Sequence, residues 1–201
     1  MARPRTDIEP RLLHAARARF LTDGVDGASL RAIAREAGTS IGMLYYYFPT
    51  KDDLFLGVVE EVYGALLADL AGALAPDAPV EVRIERLYGR IARVSDDELQ
   101  VVRLVLREVL VSSPRLGRLV ERFQRGHLPL VAAVLRDGIA QGRIDPGLPP
   151  PLLLVLTFSV GALPQFIRRS LGHLPPFAGF PEPEQLARLL VDALFRGIGP
   201  R

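Results

Sequence analysis

The chain of 201 residues contains no cysteine, so neither disulfides nor thiolate metal sites can stabilise it. Its three histidines, His14, His127 and His173, lie far apart and lack metal-ligand spacing. The acidic pairs Asp52-Asp53, Glu60-Glu61 and Asp96-Asp97 are chain neighbours, so their carboxylates do not face each other on a helix. There is no phosphate-cradling glycine loop and no nucleophile motif. These absences point away from an enzyme and predict neither metal nor cofactor. Long apolar runs are also missing. The longest, Leu152 to Leu163, is interrupted by Thr157 and Ser159 and is shorter than the roughly 18–20 residues of a membrane span. The start, Met1 to Asp7, is charged and has no apolar stretch, which predicts no signal peptide, a basic arm and a cytoplasmic location.

Charge of one sign is scarce overall, with a net of only +2. Its distribution is more informative. Residues 1–51 hold eight basic and five acidic side chains; the remainder holds seventeen and eighteen. The positive excess sits in the first quarter, as a local phosphate-binding face requires. Lysine is rarer still: Lys51 is the only one.

What is present in that quarter is a helical grammar. Ser29 is an N-cap candidate, and Leu30, Ile33, Ala34 and Ala37 then recur at helical spacing. Gly38 suits the left-handed residue that ends such a helix. Ser40 caps a second short helix, with a connection of the length found in DNA-binding helix-turn-helix units. In that second helix Leu44 and Phe48 fall on one face and point inward, while Met43, Tyr46 and Tyr47 fall on the far side and Tyr45 lies near the boundary. Gly42 leaves room for a backbone or base edge. Three successive tyrosines cannot share one buried face. A short helix that presents phenols and ends beside a cation suits phosphate contacts in a DNA groove.

The pattern Leu12-Leu13-His14-Ala15-Ala16, Phe20, Gly24, Ser29, Ile33-Ala34, Ala37-Gly38, Ser40, Gly42, Leu44 to Phe48, Lys51 and Leu54 resembles the tetracycline-repressor (TetR) family of transcriptional regulators. The resemblance implies that Arg31 reaches a base edge or phosphate. It implies that Thr39, Ser40, Ile41, Gly42 and Met43 face the bases, and that Ser29, Tyr45, Tyr46, Tyr47 and Lys51 belong to the same DNA-binding surface. An arginine fork can meet guanine O6 and N7 together. Two features depart from the family. Tyr47 stands where histidine is frequent, and Ile41 and Met43 are apolar where hydrogen-bonding side chains are common. This shifts weight to thymine methyls, Arg31 and DNA shape.

The rest reads as all-α, with about nine helices in total. Capping boxes Thr50–Asp53 and Ser95–Glu98 open helices reaching about Leu74 and Ser112. Another helix spans about Val80 to Val94. A longer segment from Ser113-Pro114 to Gln141 should kink or split at Pro129. Two helices follow at about 151–172 and 183–198, with a Pro- and aromatic-rich loop between them. The first of these, apolar on nearly every side, should be buried on all faces. We place a DNA-binding domain at 5–53, with the helix-turn-helix at about 29–48, and a ligand-binding and dimerisation domain at 54–201.

By resemblance, the last two helices pair with their copies in a homodimer, through Leu153, Leu156, Val160, Leu186, Leu190 and Leu194. Two heads would then read a roughly palindromic operator, with half-sites about 34–36 Å apart. Resemblance also implies a small-molecule cavity within residues 60–170, for an apolar or amphipathic effector. Its candidate lining is Tyr63, Tyr88, Arg103, Arg107 and Phe123, with Gln124, His127, Phe158, Phe166 and Arg168. The expected function is a repressor released by that effector. The alternative is a dimeric binding or assembly protein that keeps the fold without specific DNA recognition.

Overall fold

The computed structural model describes residues 7–111 and 114–200. The expected basic arm and Ser112–Ser113 fall outside the described residues. Ten α-helices are present among them: α1 Ile8–Gly27, α2 Leu30–Glu36, α3 Ile41–Tyr47, α4 Lys51–Ala73, α5 Val80–Ala92, α6 Asp96–Leu110, α7 Leu116–Gln124, α8 His127–Ala140, α9 Pro150–Leu171 and α10 Pro183–Ile198. A 3₁₀ turn at Pro175–Phe177 interrupts the loop before α10.

The count exceeds nine because the 114–141 segment is two helices. The break is at Arg125-Gly126, not at Pro129. Pro129 sits in the first turn of α8, where its missing N–H would have had no intrahelical partner. The expected capping boxes both form. Thr50 and Asp53 exchange backbone-to-side-chain bonds of 3.1 Å each way. Ser95 Oγ accepts from the Glu98 amide while Glu98 accepts from the Ser95 amide.

Contacts divide the chain into two compact units. One comprises residues up to Leu66 together with Ser95–Glu121; the other comprises Leu67–Val94 and the chain from Arg122 onward. This division does not follow a cut at residue 53, because the first part of α4 and all of α6 belong with the helix-turn-helix.

In the first unit α1 packs on α2 and α6, and α2 packs on α3. Leu12, Ala16, Phe20, Ile33, Leu44, Leu54 and Phe55 are buried there. The Phe20 and Phe55 rings meet edge to face, 6.1 Å between centroids.

In the second unit α5 is the central element, touching α8, α9 and α10. Its buried residues Val80, Ile84, Leu87, Tyr88 and Ile91 follow the helical repeat. Arg83, on the same helix, is buried and donates to the Leu74 carbonyl at 3.0 and 2.8 Å, satisfying an acceptor just past the end of α4. Its remaining arm pairs with Asp137 at 2.6 Å.

One expectation fails in this unit. The helix α9 is not buried on all faces of the chain: only the stripe Leu153, Thr157, Gly161 and Gln165 is. Leu152, Val155 and Leu163 are exposed, Val155 to 60%. Counted as a whole helix of 22 residues, α9 also has the length and composition to cross a membrane, which the shorter run from Leu152 did not suggest. Its buried stripe packs on α5 and α10 instead.

Candidate nucleic-acid interface

The helix-turn-helix is fixed by short-range bonds. Ser29 Oγ accepts from the Ala32 amide at 3.4 Å and Ser40 Oγ from the Met43 amide at 3.2 Å. Each hydroxyl therefore serves as an N-cap and keeps its own hydrogen for a further acceptor. Between the helices, Gly38 adopts φ +65°. Its amide donates to the Arg35 carbonyl at 3.1 Å and the Thr39 amide to the Ala34 carbonyl at 2.9 Å. That pair of bonds is a Schellman ending, and it needs a residue at ease with positive φ. Arg11 of α1 donates to the Ala37 carbonyl, tying the turn to the first helix. An open groove of about 560 Å³ runs beside this turn, lined by Arg11, His14, Glu36, Gly38 and Glu61 among others.

The inward face of α3 falls as its spacing predicts, but on the outward side Tyr45 is open where a boundary position was expected, and Met43 and Tyr47 are half-buried where open ones were. Leu44 and Phe48 are buried. Tyr45 and Tyr46 point outward, 50% and 77% exposed. Tyr47 is half-buried, its ring edge-on to Tyr46 at 5.4 Å. Ile41, Met43 and Thr39 are half-buried; Ser29, Arg31, Ser40 and Gly42 are exposed. One apolar anchor thus leaves hydroxyls, an amide-rich amino end and a guanidinium open along one edge of the unit. Such groups donate to phosphate oxygens.

Lys51 opens α4 but does not project alone. Its Nζ donates to the Asp26 carbonyl at 2.8 Å. The Asp26 carboxylate in turn pairs with Arg115, which also reaches Asp52 at 2.7 Å and Glu108 at 3.0 Å. Hydrogen bonding to Arg115, then its charge, lowers the pKa of Asp26. Burial works against the Arg115 charge, yet its bonds to Asp26, Glu108 and Asp52 prevail and its pKa rises. Asp53, next along α4, has its pKa lowered by the Thr50 hydroxyl and by Arg118. Sequence spacing gave no sign of this cluster, because its members are brought together only by tertiary packing.

Residues 12–58 match the family model described as bacterial regulatory proteins, tetR family. That segment is of the tetR type. This regulator is a DNA-binding transcriptional protein with a helix-turn-helix at its head. Its relatives include the HTH-type transcriptional regulator RutR of Escherichia coli, 28% identical over 72% of this chain and 68% of RutR. Another is the HTH-type transcriptional repressor SCO4008 of Streptomyces coelicolor, 29% identical over 85% of this chain and 87% of the relative. Among solved structures, FadR of Bacillus subtilis in complex with stearoyl-CoA has the same fold, with a TM-score of 0.70 at 20% identity over 94% of this chain and 98% of FadR.

The expected ligand residues of the regulator scatter. Tyr63, Arg103 and Arg107 lie in the first unit; the others lie in the second. Arg107 and Arg103 are exposed, and the Arg107 guanidinium covers Gly24 of α1. Gln124 is exposed. These three face solvent within the chain. Tyr88 is fully buried, and its hydroxyl is used by the Thr157 carbonyl at 2.8 Å. Burial raises its pKa. Phe166 and Arg168 are half-buried, with Arg168 donating to Gln165 at 3.3 Å. The structure does bring Phe123, His127 and Phe158 together, with ring centroids 4.9 and 5.4 Å apart across His127. Burial, then nearby Arg122, depresses the His127 pKa to about 4, so the imidazole is neutral at pH 7.

The expected dimer residues divide by burial. Leu153, Leu186 and Leu194 are already buried within the chain, leaving nothing for a partner to cover. Leu156, Val160 and Leu190 are half-buried. The open apolar side chains of these two helices are Leu152, Val155 and Leu163 of α9 and Leu189 of α10.

Proposed function

We propose that this regulator is a homodimeric repressor. Its two heads bind a roughly palindromic duplex site and leave it when a small apolar or amphipathic ligand binds residues beyond the head. The observation that carries the DNA part is α3. Leu44 and Phe48 anchor it while Tyr45 and Tyr46 stand open beside the capping Ser40. In this reading Tyr45, Tyr46, Tyr47, Ser29 and Lys51 contact backbone phosphates. Arg31 and the tip Thr39 to Met43 meet base edges, with Ile41 and Met43 suited to thymine methyls. The functional division at about residue 53 belongs to the same reading, as does action in the cytoplasm without catalysis.

Dimerisation is supported by the open apolar face of α9 and α10. Leu152, Val155 and Leu163 of α9 and Leu189 of α10 are exposed apolar side chains on helices that bury only one stripe within the chain. A ligand is supported by the FadR complex with an acyl-CoA and by the apolar, aromatic surroundings of neutral His127. Linkage requires that whatever weakens DNA binding be weakened by DNA to the same degree. Binding of the purified protein to duplexes recovered from a random pool, over a range of salt, tests the reading. Site-specific nanomolar affinity supports it; weak binding that vanishes with salt supports instead a dimeric assembly protein.

A further inference from the structure

The corner where α1 ends and α4 begins carries an unusual density of charge. Gly24 takes φ +74° inside α1, and the chain then turns through Val25, Asp26 and Gly27. The Asp26 carbonyl accepts from Lys51 Nζ, while its carboxylate, 83% exposed, reaches back to Arg115. Arg115 itself is only 7% exposed and Glu108 only 4%. Its Nε meets Asp52, adjacent to Lys51 in the first turn of α4, and its Nη1 meets Glu108 near the end of α6. A guanidinium is a rigid planar fork. Three carboxylates held on one fork are held relative to each other.

The two links to Lys51 converge. Asp26 supplies the acceptor that fixes the ammonium, and Asp52 fixes the helix turn from which the lysine stem leaves. Both are secured by the same buried arginine, anchored to buried Glu108. We propose that Arg115 is a positioning residue for DNA binding, holding Asp26 and Asp52 so that the Asp26 carbonyl aims Lys51 at a phosphate. The proposal rests on the reading of Lys51 as a phosphate contact.

The sign of one substitution separates this from simple electrostatics. Asp26→Ala removes a negative charge beside a polyanion's binding face, so charge counting alone predicts tighter binding. Positioning predicts weaker binding, because the corner that holds Lys51 comes loose.

The experiment uses the full-length protein and a fluorescent duplex recovered by wild-type selection from a random pool. Dissociation constants and salt slopes are measured for Lys51→Ala, Asp26→Ala, Arg115→Lys, the Lys51→Ala/Asp26→Ala double variant and the Lys51→Ala/Arg115→Lys double variant. Lys51→Ala should weaken binding about tenfold and lower the salt slope by about two, one for each head. Asp26→Ala should weaken it about fivefold, with the double variant no weaker than Lys51→Ala alone, since coupled residues are not additive. Arg115→Lys keeps a cation against Glu108 but cannot bridge three carboxylates, and should show the same loss and the same coupling to Lys51. If Asp26→Ala lowers thermal stability enough to blur its affinity, the Arg115→Lys cycle decides. Unchanged or tighter binding, or losses that add to that of Lys51→Ala, overturns the positioning role. Unchanged affinity and slope in Lys51→Ala overturns the phosphate contact itself, and the positioning role with it.

Discussion

The Tyr88 ring occupies the space that a side chain at Gly161 would need: a Cβ there would lie 2.0 Å from Tyr88 Cε1. The same tyrosine donates its hydroxyl to the Thr157 carbonyl one turn earlier on α9. Helices α5 and α9 are therefore joined by a glycine notch and a phenol that fits it. Gly161→Ala should cost about 1–3 kcal/mol, the usual range for overpacking a tight core. Tyr88→Phe should cost about 1 kcal/mol for the lost buried bond. Urea denaturation of both variants checks the order. A Gly161→Ala protein as stable as wild type would show that the notch is not tight.

Acid should weaken the fold through groups of opposite charge type, and both act in the same direction. His127 has a folded pKa near 4, below the ordinary 6.5. Its contribution is complete above 6.5 and is lost as pH falls toward 4, because the unfolded chain takes up the proton first. The slope there cannot exceed about 1.4 kcal/mol per pH unit for one group. His127→Phe should flatten the stability profile between those values.

Asp26 and Asp53 have pKa values below the ordinary 3.8, so their contributions hold above that value and fade as pH drops further. Asp53 belongs to a partly exposed pair with Arg118, so the loss should stay under about 1 kcal/mol. Thermal melts of Asp53→Asn and wild type should converge as the pH falls below 3.8, and the gap should be widest near neutrality.

Val155 and Leu163 sit open on α9. Replacing Val155 by Glu should leave the protomer folded, since surface changes usually shift stability by less than about 0.5 kcal/mol. It should nevertheless shift the protein toward monomer in sedimentation, and weaken operator binding along with it. A dimer that tolerates both Val155→Glu and Leu163→Glu would place the subunit contact elsewhere.

Much of the DNA-binding head was legible in the sequence, because its determinants are local. Ser29, Ser40, Thr50 with Asp53, and Ser95 with Glu98 each act within three residues, and all of these caps form. The inward turn of Leu44 and Phe48 follows from helical spacing alone. Interactions between distant residues were not legible. Arg115 meets partners 63 and 89 residues earlier, and no spacing rule joins them. Pro129 reads as a breaker, yet it lies in the first turn of α8, where it does no harm. The open face of α9 was misread for a related reason. An apolar run shows that a helix needs cover, and does not show which side its own chain supplies.

The contact of the paired heads with the two strands is tested most directly by hydroxyl-radical footprinting on a selected duplex, comparing wild type with Tyr46→Ala. Two protected patches should appear, centred about one helical turn apart on one face of the DNA. Tyr46→Ala should weaken both patches equally while the base preference of the site is kept. A single patch, or protection by Tyr46→Ala equal to wild type at every protein concentration, would contradict the account.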